Sequence, residues 1–94
     1  MIIQLPEWKT WRISGYGIDW QVQQQYQKGK QAGEWYGVKF FSSLQYAIGE
    51  AYERTLRESP AVADSSELLL AECERVKKAL VAAVKKAISH ADDH

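Results

Sequence analysis

The hydrophobic pattern of this chain changes period at Phe41-Ser42-Ser43-Leu44-Gln45. Upstream, apolar and polar residues alternate with the period of two expected of strands. Downstream, apolar residues recur at three and four, the spacing of amphipathic helices. Residues 8–13 read as a first strand, with Trp11 and Ile13 on one face and Trp8, Thr10 and Arg12 on the other. Ser14-Gly15-Tyr16-Gly17 is predicted to be a turn. Residues 19–26 form the second strand: Trp20, Val22, Gln24 and Tyr26 share a face opposite Gln21, Gln23 and Gln25. A polar hairpin loop follows at residues 28–33. The third strand runs from Trp35 to Phe41, with Tyr36, Val38 and Phe40 opposite Trp35, Lys39 and Phe41. The simplest arrangement is an antiparallel three-stranded meander.

The first helix carries start signals. Ser42 and Gln45 match a capping box, and Phe41 and Tyr46 stand at hydrophobic-staple positions. Leu44, Ala47, Ile48, Ala51, Tyr52 and Leu56 make one apolar stripe. Glu50 with Arg54, and Glu53 with Arg57, are spaced as i,i+4 ion pairs. Ser59-Pro60 ends the helix, because proline drives the residue before it out of the α region. The second helix is predicted to start at Asp64, with Glu67 in the capping-box position, and to reach about Ile88. Leu69, Cys73, Val76, Leu80, Ala83 and Ala87 form a heptad seam. A helix this long overhangs a three-stranded sheet, so a second copy is expected to cover its end, giving a homodimer through Val76, Leu80, Ala83 and Ala87. The whole is an α+β fold, βββαα, in one domain spanning residues 1–94, with residues 1–7 and 89–94 as flexible ends.

Twelve basic and twelve acidic residues cancel, which argues against a dedicated duplex-DNA binder. Arg75, Lys77, Lys78, Lys85 and Lys86 gather late in the second helix and Glu67, Glu72 and Glu74 early, which complements the helix dipole. That cluster reads as a solvated face, with an anionic partner as the alternative. The single cysteine, Cys73, allows no intrachain disulfide and reads as a small buried residue. No secretory leader pattern opens the sequence and no apolar run approaches about 20 residues, so a cytoplasmic location without membrane contact is expected.

Little here points to chemistry. The only histidines, His90 and His94, fall in the last five residues, where nothing positions a general base. The tail His90-Ala91-Asp92-Asp93-His94 has metal-ligand residue types but reads as a solvated end. No nucleophile elbow, phosphate loop or paired-carboxylate motif occurs. A non-enzyme without cofactor or metal is expected. The crowd of aromatics on the strands is the better candidate. It serves as core, as a protein interface, or as a stacking platform for single-stranded nucleic acid. For a protein partner the contact residues are Trp8, Trp35 and Tyr36, flanked by Arg12 and Lys39. For nucleic acid, Lys28 and Lys30 join them.

Residues 26–59 resemble small uncharacterised proteins of tailed phages and prophages. The likeness lies in an aromatic-ended strand, the loop Lys28-Gly29-Lys30-Gln31-Ala32-Gly33-Glu34, and the aromatic pair entering a capped helix, Phe40-Phe41-Ser42-Ser43-Leu44-Gln45-Tyr46-Ala47-Ile48. The helix then closes with Glu53-Arg54-Thr55-Leu56-Arg57-Glu58-Ser59. The Trp-rich first strand departs from that pattern. The resemblance implies a β-meander followed by two helices, and an accessory protein acting by binding, such as an inhibitor of a host defence complex. It brings no catalytic residues with it.

Overall fold

The computed structural model describes residues 1–16, 18–60 and 66–92. The chain is α+β, with four antiparallel strands in sequential order followed by two helices. The strands are β1 (Ile2–Ile3), β2 (Trp11–Tyr16), β3 (Asp19–Gln25) and β4 (Trp35–Phe41). The helices are α1 (Leu44–Glu58) and α2 (Ser66–Asp92). No helix among the described residues is long and apolar enough to cross a membrane.

The fourth strand corrects the three-stranded expectation. Two residues are too few to show a period, yet Ile2 pairs with Ser14 and Ile3 with Ile13. The segment 1–7, expected as a loose end, instead places Ile3 and Leu5 in the core. Between them and β2, Pro6 stands in a turn in which the Trp8 amide donates to the Leu5 carbonyl. Ser14, Gly15 and Tyr16 are strand rather than turn, pairing with Gln21, Trp20 and Asp19. Gly15 is required there by packing: a Cβ at this position would lie 2.7 Å from the Trp20 ring. Gly17 lies outside the described residues. The predicted loop at 28–33 is present, and Gly29 and Gly33 take the left-handed conformations that suit glycine.

Both helices cover one face of the sheet. Trp11, Ile13 and Val22 project from that face to meet Ala47 and Ala51 of α1 and Val76, Leu80 and Ala87 of α2 in one cluster. α1 lies against β3 and β4, and α2 against β1 and α1. The N-cap of α1 is Ser43, one residue later than predicted, and its hydroxyl accepts from the Tyr46 amide. Tyr46 therefore stands where a capping box would need Glu or Gln, and its ring is exposed rather than stapled. The predicted i,i+4 pairs on α1 are replaced. Glu50 binds Lys39 of β4 at 2.7 Å, and Arg54 binds Glu58 at 2.8 Å. The helix ends at Ser59-Pro60 as the proline rule requires.

The heptad seam of α2 is real but intramolecular. Val76, Leu80 and Ala87 are buried against the chain's own sheet and α1, and Ala83 packs against that cluster. The expected dimer interface is thus already occupied within one protomer. The helix reaches Asp92, beyond the predicted end at Ile88. The Asp64 cap and His94 lie outside the described residues.

Candidate interaction surface

The sheet has one covered face and one open face, and β4 decides which aromatics lie on the open one. β4 carries one residue more than β3 at the step where Val22 pairs with Lys39 but Gln23 pairs with Gly37. Val38 is the extra residue of this β-bulge. A single insertion inverts the alternation beyond it. Trp35 and Phe40, an odd number of residues apart, therefore share the open face, paired with Gln25 and Gln21. Tyr36 shares the helix-side face with Lys39 and Phe41. Strict alternation would have put Phe40 with Tyr36, and Trp35 with Lys39.

The open face is organised by polar contacts. Arg12 stacks over Trp35 with its guanidinium carbon 4.1 Å from the ring centroid. The Arg12 Nε donates to Gln23 Oε1 at 2.8 Å, and Gln23 Nε2 donates to Gln21 Oε1 at 3.1 Å. Partial burial lowers the Arg12 pKa, but an arginine stays cationic through any physiological range. Phe40 lies over Gly37, where a Cβ would sit 2.7 Å from the ring. The glycine lets the ring lie flat while 62% of Phe40 remains exposed. Val38, the extra residue of the bulge, is exposed as well. Stacking, hydrogen bonding and the missing Cβ hold an arginine and two aromatic rings in place.

Of the five residues predicted to meet a protein partner, this face unites two, Arg12 and Trp35. Trp8 is removed from the surface: it is 1% exposed, stacks on Trp11 at 4.1 Å and donates to Thr55 Oγ1 at 2.9 Å. Its position before β2, after the turn at residues 5–8, takes it out of the strand alternation that had placed it beside Arg12. Lys39 is tied to Glu50, and that hydrogen bond holds the Glu50 carboxyl below its usual range. Tyr36 packs on Tyr26 with ring centroids 4.3 Å apart. Lys28 and Lys30 sit exposed on the hairpin loop, with Tyr26 at its root. Phe40 is absent from the predicted contact residues because the bulge that exposes it leaves no mark in the hydrophobic pattern. The Val-Lys pair after Gly37 is the nearest signal, since glycine in a strand often marks a bulge.

Elsewhere, Arg75 joins Glu7 at 2.7 Å and also binds Glu72, which accepts from Ser59. These bonds raise the Arg75 pKa and lower that of Glu72. The Tyr52 hydroxyl, hydrogen-bonded to Cys73, is pushed up to about 12. These links fasten α2 to α1 and to the β1–β2 connection, and none assembles a nucleophile with a base. No group of three or more His, Cys, Asp or Glu among the described residues could hold a metal ion. No protein-family model, curated protein or solved structure matches the chain.

Proposed function

We propose that this chain is a non-enzymatic accessory protein of phage or prophage type that binds a protein partner through the open face of its sheet. Blocking a host defence complex is the role that the resemblance of residues 26–59 implies. The observation that carries the binding reading is the open face of β4: Phe40 rests exposed on Gly37 and shares that face with Trp35, over which Arg12 stacks. Aromatic and arginine side chains are the favoured anchors of protein interfaces. Here they lie on a strand rather than a loop, so little ordering cost remains for the partner to meet.

Capture from bacterial lysate with the tagged protein, with and without nuclease, tests this reading. A stoichiometric protein that survives nuclease and is lost with Trp35→Ala or Phe40→Ala supports it. Capture unchanged by both substitutions contradicts it. The exposed lysines at 28 and 30, with the Tyr26–Tyr36 pair at the foot of their loop, favour a second reading, single-stranded nucleic acid. It predicts tryptophan quenching by oligonucleotides that weakens steeply with salt.

A further inference from the structure

A second feature has no role in the sheet-face reading. Between α1 and α2 runs an open apolar groove of about 740 Å³. Ile48 and Tyr52 form one wall and Val81 and Val84 the other, with Leu80 between them. Val81 is exposed. Gly49 sits at the α1 lip, and a Cβ there would meet nothing within 4 Å, so the lip is open to a closely approaching backbone. At the α2 lip stand Lys77 and Lys85, four residues to either side of Val81. Lys77 has a distant contact with Glu74 at 3.8 Å, and Lys85 lines the other end of the lip.

We propose that this groove is a docking site for an acidic amphipathic helix of a protein partner. Three arguments select that occupant. The α2 lip from Lys77 to Lys85 spans about 12 Å at the α-helical rise, enough to seat about two turns of a helix. Apolar side chains at i, i+3, i+4 and i+7 of such a helix would meet the Ile48–Tyr52 and Val81–Val84 walls. The charge of the rim then selects the flanks: Lys77, Lys78 and Lys85 outnumber Glu74, which contacts Lys77, and Glu53, which acts on Tyr52, and so favour carboxylates beside the apolar stripe. The same charges disfavour a second copy. Two α2 helices meeting antiparallel at Val81 would set Lys77 against the other Lys85 at both ends, and a parallel meeting would set each lysine against its own equivalent. Like charges in register oppose association.

The test uses the full chain and two synthetic amphipathic peptides with leucines at i, i+3, i+4 and i+7, one flanked by glutamates and one by lysines. Fluorescence anisotropy reads binding. The expected result is a preference for the glutamate-flanked peptide of about tenfold or more, loss of binding in Val81→Glu, and a reversed preference in the double variant Lys77→Glu/Lys85→Glu. All three positions are exposed, so circular dichroism should show these variants folded. Trp35→Ala and Phe40→Ala should leave peptide binding unchanged, which separates this site from the sheet face. Equal affinity for both peptides, binding of neither, or a preference that charge reversal does not invert would overturn the proposal. So would a concentration-dependent dimer that Val81→Glu dissolves, because the occupant would then be a second copy.

Discussion

β2 and β4 are nearly the same length and open on the same residue, Trp-Arg-Ile-Ser-Gly-Tyr against Trp-Tyr-Gly-Val-Lys-Phe-Phe, yet Trp11 of β2 is sealed and Phe40 of β4 is exposed. β2 lies between β1 and β3, and its Trp11 and Ile13 are sealed beneath both helices. β4 is an edge with one neighbour, and its residues from Tyr36 to Phe40 are all exposed. Composition does not separate the two strands. Place in the sheet order and one inserted residue do. An edge strand is exposed to unwanted pairing, and this one carries a bulge and a lysine, two devices that blunt an edge. The same bulge turns Trp35 and Phe40 onto one open face.

The contrast can be broken most severely at Trp8. Trp8→Ala deletes the indole that stacks on Trp11 and bonds Thr55, and should cost about 3–5 kcal/mol, read from the urea midpoint. Thr55→Val keeps the volume but leaves the Trp8 N–H buried without an acceptor, for a loss of about 1–3 kcal/mol. Trp11 sharpens the point. Its Nε1 is buried without a partner among the described residues, so Trp11→Phe should be milder than Trp8→Phe in the same assay.

Acid should weaken the tie between the layers. Hydrogen bonds from Lys39 to Glu50, and from Arg75 and Ser59 to Glu72, lower both carboxyl pKa values below 4.5 in the folded state. Their contribution is therefore fully present above pH 4.5 and is lost as pH falls through the depressed folded values. Stability measured against pH should fall less steeply in Glu72→Gln than in the parent. The smallest effect belongs to β4: Phe40→Ala should shift stability by no more than about 0.5 kcal/mol while removing partner capture.

How far the sequence reveals this fold depends on how local each signal is. The α1 and α2 stripes are legible because each repeats over several turns, and Ser59-Pro60 marks a stop through backbone sterics. The Ser42 cap misses by one residue because two serines stand together and only backbone geometry chooses Ser43. β1 is too short to show a period, and its burial depends on α2, far along the chain. Ser14-Gly15-Tyr16 resembles a turn because the demand for glycine at position 15 comes from the Trp20 ring across the ladder. At the candidate site, Arg12 and Trp35 could be picked out by residue type. Their meeting, the exposure of Phe40 and the burial of Trp8 all follow from pairing register, which single-strand periodicity does not encode. The heptad of α2 shows the converse: a true periodic seam, with its partner inside the same chain.

Fluorine NMR of the protein labelled with 5-fluorotryptophan separates Trp8 and Trp11, sealed beneath the helices, from Trp35 on the open face of the sheet. Resonances would be assigned by single Trp→Phe substitutions, and the solvent isotope shift between H₂O and D₂O recorded for each. No appreciable shift is expected at Trp8 and Trp11, and a clear shift at Trp35. A shielded Trp35, or a Trp8 as solvent-exposed as Trp35, would contradict this expectation.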